Sequence, residues 1–484
     1  MVPCPRQHRR AVPPVPAHPH LRRTVRCHHR GAVKPSTAER LAALAQASAA
    51  THHCPSVSWG VVRDGELVAH NGTPNTVYRI ASMTKSFTTA AVLGLRDEGL
   101  LSLEVPVGEY APELQTVTGP PGSAPITLRH LLSMTAGMAT DDAWADRHLD
   151  ISEADIDRVY AAGPAFAALP GSTYEYSNLG FAMVGRVVRR VTGRPVQAHV
   201  SERLLGPLGL TRTTWVQPDH DDWARPHRVV DGVSVPEGTP LLGDGEIAPM
   251  GGLWSCVTDL AKWVAWLDDA VSRPDATHWV GLSPASRREM QRVNTYIGLS
   301  TVAGRTCPAG YGFGLNLRDD AELGTVVAHA GGLPGYGSNM RWFSGRGTGA
   351  IALANTTYAP MSALTMEMLV ALHSDDEVSA PPSNRSLTLG TRAHELVALL
   401  NDWDDDRARA LFADNVEPDD AFPRRAAAAG ALVARYGPFE LAALNPTSTT
   451  SGTVDVRGDR GSFRVHLELA PLAGGPVQYY IVRE

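Results

Sequence analysis

Lysine occurs at only three positions in this 484-residue chain, 34, 85 and 262, while 41 of its 44 basic residues are arginine. Where a bare positive charge is needed the sequence uses arginine, so each lysine raises the question of what an arginine could not do there. Lys85 offers an answer. It closes the run Ala81-Ser82-Met83-Thr84-Lys85, and side chains three residues apart on a helix share a face and meet. A serine hydroxyl is a poor nucleophile until a base takes its proton. An amine becomes such a base when burial and the positive end of a helix dipole disfavour its ammonium form; a guanidinium keeps its charge at any ordinary pH. The alternative is a chance spacing with Lys85 as a surface charge, which arises in roughly one sequence in five of this lysine and serine content. The stretch from Phe87 to Leu95 argues against chance. It is almost free of charge, as a buried helix is, and a lysine at the head of a buried helix needs a reason.

Tyr78-Arg79-Ile80-Ala81-Ser82-Met83-Thr84-Lys85 resembles the nucleophile segment of the serine β-lactamase and penicillin-binding-protein superfamily, in particular its class C β-lactamase, DD-peptidase and esterase branch. That branch carries three motifs in a fixed order. The second, Tyr-x-Asn, is matched by Tyr176-Ser177-Asn178 after a Pro170-Gly171 turn, and the third by His329-Ala330-Gly331, continued by Gly332-Leu333-Pro334-Gly335-Tyr336. Weaker echoes are Leu128 to Gly137, Gly251-Gly252-Leu253-Trp254-Ser255 and Tyr311-Gly312-Phe313-Gly314. The resemblance covers residues 36–375. It implies an acyl-enzyme on Ser82 with Lys85 as base, and no metal or organic cofactor. Tyr176 is then expected to relay a proton, as base in one step and acid in the next; the plainer alternative is a core tyrosine. Asn178 holds Lys85 or a substrate amide, caps a helix, or does both. His329 borders the cleft and touches the substrate, the alternative being ordinary strand packing. Gly331 and Gly332 let a substrate backbone approach the strand, and the resemblance places the backbone N–H of Gly332 with that of Ser82 in an oxyanion hole.

Departures from the family pattern narrow the reading. No Ser-Asp-Asn occurs, so the class A arrangement with its deacylating glutamate is not supported. His329 stands where efficient class C enzymes carry lysine, which favours a peptidase or esterase over a β-lactamase. With an ordinary pKa, His329 would be mostly neutral at pH 7.5 and gain charge towards pH 6, raising the preference for anionic substrates as pH falls.

These residues need elements to hold them. Val57–Arg63 and Leu67–Asn71 have strand character and are joined by Asp64-Gly65, a strong hairpin signal. Helical patterns cover Ser36 to Ala50 with Ser36 as cap, Ser82–Glu98 stopped by Gly99, Leu128–Ser133, Asn178–Val191 and Asp259–Asp268. Val326–His329 and Ser338–Trp342 read as strands around a Gly- and Pro-rich turn. Hairpins from both ends with helices between them imply an α+β fold, one antiparallel sheet flanked by helices plus an all-helical subdomain. A polar stretch from Ser374 to Ser386 reads as a linker, placed at 376–386. Beyond it, residues 387–484 read as a small α+β accessory domain, with a helix over Arg392–Phe412 and strands at Gly452–Arg457, Phe463–Leu469 and Val477–Val482.

Composition bounds the rest. At 43% hydrophobic and 19% charged the chain is globular, neither disordered throughout nor a coiled coil. Residues 1–35 hold seven arginines, one lysine, seven prolines and five histidines without an acid, and read as a disordered tail. Cys27, His28 and His29 lack a second ligand pair for zinc. The remaining chain has 36 basic against 50 acidic residues, a balance that repels nucleic acid. No apolar run is long enough to span a membrane, and five cysteines do not make a disulfide scaffold. With no export signal visible, a cytoplasmic location is expected. The expected protein is a serine hydrolase of a small ester, peptide or amide, with an acyltransferase or a non-catalytic binding protein as alternatives; the oligomeric state is left open. Limited proteolysis should cut between Ser374 and Ser386, and the released fragment 36–375 should keep esterase activity, read from the turnover of an activated ester. A folded but inactive fragment would mean that the last hundred residues help to build the cleft.

Overall fold

The computed structural model describes residues 31–238, 242–273, 280–379 and 387–483. The basic tail up to residue 30, with Cys27, His28 and His29, lies outside the described residues, as do positions 380–386 of the linker. The body is built on one antiparallel sheet of eight strands: β1 Val57–Arg63, β2 Glu66–His70, β3 Thr295–Val302, β4 Arg305–Tyr311, β5 Asn316–Asp320, β6 Gly324–Leu333, β7 Tyr336–Phe343 and β8 Thr348–Ala354. Their order is β2-β1-β8-β7-β6-β5-β4-β3, so chain from both ends meets where β1 pairs with β8. The first hairpin forms where Asp64 and Gly65 both take positive φ, +48° and +88°, the backbone a two-residue turn needs to match strand twist. All seven residues of β8 are buried. A strand covered on both faces shows no alternation, which is why the sequence pattern does not reveal it.

Helices cover both faces. On one, α1 Pro35–Thr51 packs with the later helix Met361–Ser374 against Trp59, Val61 and Phe343. Its N-cap position is Lys34, which makes no side-chain cap, and Pro35 starts the helix; a proline is preorganised for the first turn, so Ser36 is not the cap. The other face carries the larger core. There α2 Thr84–Asp97, α3 Asn178–Thr192 and α4 Val257–Ser272 bury Phe87, Phe181 and Trp263 against sheet residues such as Val62, Met340 and Trp342. Phe87 and Trp263 stack at 3.8 Å. Among the described residues no helix is long and apolar enough to cross a membrane.

The position of α3 is fixed by a buried charge. Arg186 is fully enclosed, and its guanidinium reaches Glu113 at 2.7 Å, Asp157 at 2.8 Å and Glu246 at 3.0 Å. The planar fork with its five donors suits three carboxylates at once. The C-terminal unit forms its own core. Helices Leu387–Asn401, Asp405–Leu411 and Phe422–Tyr436 accompany a four-stranded antiparallel sheet of Phe439–Pro446, Ser451–Gly458, Gly461–Leu469 and Val477–Arg483. The single helix expected over Arg392–Phe412 is two, because Asp404 caps the second by accepting from Arg407 N–H at 2.8 Å. Replacing Arg186 by methionine removes the guanidinium shared by Glu113, Asp157 and Glu246, although Glu113 keeps Arg190 and Glu246 keeps Arg189. We expect a loss of about 3 kcal/mol, measured by urea unfolding, with β-sheet content unchanged in the surviving folded protein.

Candidate active site

The nucleophile segment does not begin the helix as a regular turn. Ala81–Met83 form a 3-10 turn and α2 starts at Thr84, so the helix expected from Ser82 begins two residues later. Ala81 takes φ +48°, a left-handed backbone that a residue with a Cβ rarely adopts. Around it the chain is zipped to a distant segment. Tyr78 and Arg79 pair with Ser255 and Trp254, Ile80 N–H donates to the Leu253 carbonyl at 3.0 Å, and Leu253 N–H donates to Thr84 Oγ1 at 3.2 Å. This zipper carries the Met250 carbonyl under α2.

Lys85 is completely buried. Its Nζ lies 3.1 Å from Ser82 Oγ, 2.6 Å from Asn178 Oδ1 and 3.0 Å from the Met250 carbonyl oxygen. An ammonium has three protons for these three acceptors. A neutral amine has two, and the amide and carbonyl oxygens can only accept. The lone pair of the neutral amine therefore points at Ser82. Burial pushes the Lys85 pKa down to about 7, against the pull of the Asp142, Asp146 and Asp141 carboxylates. Tyr176 hydrogen-bonds Ser82, and burial raises its phenol well above the usual tyrosine range. It stays protonated, so nothing in its surroundings makes Tyr176 the phenolate base expected for one step. Ser177 caps α3, its hydroxyl accepting from Gly180 N–H at 3.1 Å. Asn178 is not the cap, and its side chain is left for Lys85 on one side and Asp142, 2.8 Å from Nδ2, on the other.

His329 lines the same cleft but is only 2% exposed. Its Nε2 is 3.0 Å from the Tyr311 hydroxyl and its Nδ1 2.6 Å from the Ala330 carbonyl. Burial, with the positive charge of Lys85 nearby, drives its pKa down to about 3. The expectation that His329 gains charge towards pH 6 is thus overturned: the ring is enclosed and stays neutral. Gly331 also differs from expectation. A Cβ there would sit 2.2 Å from the Ile80 carbonyl oxygen and 2.4 Å from Ser338 Oγ, so the room it provides is filled by the chain itself, which lets β6 lie against the nucleophile turn. Gly332 faces the ring of Tyr358.

Ser82, Tyr176, His329, Gly331 and Gly332 thus border one cleft of about 530 Å³, with Lys85 and Asn178 beneath it. Sequence reasoning missed four contributors. Asp141 accepts from the N–H groups of Asn178 and Leu179 at 2.7 and 2.8 Å, and Asp142 and Asp146 line the cleft. Tyr358 reaches across to donate to Asp146 at 2.8 Å. The acids give a faint signal, three within six residues before the second motif; Tyr358 gives none.

Residues 41–375 match the Beta-lactamase family. The chain belongs to that family. Within it, the chain is 26% identical over 325 residues to Protein flp of Staphylococcus aureus, covering 64% of this chain and 61% of that protein, so it spans about three fifths of the length of that curated relative. It is 29% identical over 327 residues to Esterase EstB of Burkholderia gladioli, covering 60% of this chain and 79% of the relative. Its fold is shared with the octameric penicillin-binding protein homologue from Pyrococcus abyssi, at a TM-score of 0.60, 21% identity, and coverage of 90% of this chain and 91% of that one. The fold is that of the β-lactamase-like hydrolases. Gly331→Ala should push β6 away from Ile80 and Ala81. A shift of that kind is expected to slow labelling of Ser82 by a fluorophosphonate about 10²-fold, read as intact mass against time, with the melting temperature checked in parallel.

Proposed function

We propose that this Beta-lactamase family member is a serine hydrolase that cleaves esters or small amides through an acyl-enzyme on Ser82. The observation that carries the reading is the directed lone pair of Lys85. Two fixed acceptors, Asn178 Oδ1 and the Met250 carbonyl, consume both protons of the neutral amine and leave its electron pair facing the hydroxyl at 3.1 Å. Lys85 takes the Ser82 proton as Oγ bonds to the acyl carbon, and the backbone N–H groups of Ser82 and Gly332 receive the oxyanion. The leaving group departs with a proton delivered through the Tyr176 phenol and resupplied from Lys85. Water then attacks the acyl carbon by the reverse route, releasing the acid and restoring Ser82. Relatedness to an esterase supports ester substrates. The neutral His329 gives a β-lactam carboxylate no charge to meet, so β-lactam hydrolysis is weak or absent in this reading.

The test is intact-mass detection of a fluorophosphonate or acyl adduct that Ser82→Ala abolishes. A stable protein without any adduct would point to a non-catalytic binding role. The pH dependence has a definite sign. Below its pKa of about 7 Lys85 is an ammonium and no base, so acylation should rise as pH passes through about 7 and then level off. The enclosed His329 adds no inflection between about pH 5 and 8. Lys85→Arg keeps the charge but cannot accept a proton, and should lower turnover at least about 10²-fold. Near-normal activity in folded Lys85→Arg protein would remove Lys85 from the mechanism.

A further inference from the structure

We propose that the cleft selects substrates carrying a cationic group, an ammonium, next to the acyl centre, with Asp142, Asp146 and the ring of Tyr358 as its receptor; this rests on the hydrolase reading above. Of the residues that line the cleft with Ser82, the charged ones are Asp142 and Asp146, and none is an arginine or lysine. His329 is neutral, and Lys85 is sealed under Ser82 with its own protons committed. Among the described residues neither aspartate of the wall forms an ion pair with an arginine or lysine. Asp142 accepts from Asn178 Nδ2 and Asp146 from the Tyr358 hydroxyl. Both hydrogen bonds orient a carboxylate; burial raises the Asp146 pKa to about 6, so at neutral pH and above it is ionised.

Tyr358 is a second and independent observation. Its backbone takes φ +51°, a conformation uncommon for an aromatic residue. It nevertheless stays half exposed at 51%, with the ring edge against Gly332 and the hydroxyl tied across the cleft to Asp146. A core tyrosine would be covered, and a surface tyrosine would have no need of a strained backbone. Held in this way, an aromatic ring and two carboxylates frame one wall. That combination attracts an ammonium through both charge and ring quadrupole, and repels a substrate carboxylate. The sequence alone pointed towards the question of how an anion is read; the structure assigns the opposite charge to the ligand.

The experiment uses two isosteric substrate pairs on the full-length protein. One pair is the para-nitrophenyl ester of trimethylammonio-butanoate and its analogue with carbon in place of nitrogen, which puts the charge on the acyl side. The other is choline butanoate and its carbon isostere, which puts the charge on the leaving group. We expect kcat/KM to favour the cationic member of at least one pair by about tenfold at low ionic strength, the order of one charge pair in a partly wet site. Asp142→Asn, at an exposed position, should reduce that ratio at least about threefold, and so should Asp146→Asn, while the ratio rather than the absolute rate is what is read. A ratio of one or below in both pairs, or a ratio that both substitutions leave unchanged, would overturn the proposal. Equilibrium binding of choline butanoate and its isostere to Ser82→Ala protein, by calorimetry, separates this inference from the catalytic one. Preferential binding of the cation without any turnover in wild-type protein would sink the hydrolase reading alone, and equal binding of the two would sink the present one.

Discussion

A buried amine held by two oxygens that can only accept is the constraint around which this molecule is arranged. Lys85 has no exposure to water, and an uncompensated ammonium in that position costs several kcal/mol. The enclosure resolves the cost in two ways. Asn178 and the Met250 carbonyl supply acceptors for the protons, and the carboxylates of Asp141, Asp142 and Asp146 supply a field that opposes the loss of charge. The balance leaves the pKa at about 7, where small changes in the surroundings decide which form is present. These partners come from three stretches of chain, around 141–146, 178 and 250, so the amine is also what draws those stretches together.

Much of the remaining architecture serves that meeting. Arg186 fixes α3, and with it Asn178, to Glu113, Asp157 and Glu246. Glu246 lies only four residues before Met250, so one guanidinium ties the helix bearing the first acceptor to the segment bearing the second. On the opposite side, Gly331 lets β6 touch Ile80, and Gly314 does the same for α2. A Cβ at Gly314 would be 2.4 Å from Thr89 Oγ1 and 2.9 Å from the Lys85 carbonyl. The Tyr311-Gly312-Phe313-Gly314 run thus presses on α2 while its tyrosine engages His329.

What the sequence revealed and what it hid divide along physical lines. Lys85 stood out because lysine is rare in this chain, whereas Ser82, Tyr176, Asn178 and His329 stood out because they fall in three family motifs in the expected order. The first hairpin was legible because Asp-Gly is one of the few dipeptides that accept two positive φ values. The central strand Thr348–Ala354 was hidden because burial on both faces erases alternation. In the C-terminal unit, the helix Phe422–Tyr436 was hidden because a face built largely of alanine has little hydrophobic contrast, and the strand Phe439–Pro446 follows it with most of its residues partly or fully exposed. The environment of His329 was hidden for another reason. A pKa depends on what encloses the ring, and Tyr311 and Lys85 reach it only through the fold.

The Met250 carbonyl has a consequence of a different kind. A backbone oxygen is present whatever residue occupies the position, so any side chain that preserves the local path preserves the acceptor. The side chain at 250 is a separate matter: its sulfur lies 3.8 Å from Lys85 Nζ and is fully buried, so a substitution there changes packing on the amine and leaves the acceptor in place. A scan of side-chain substitutions would pass over one of the two atoms that aim the amine, and tolerance there would carry no information about its role. The contact becomes visible only to a probe that alters the main chain itself, such as an ester in place of the peptide bond.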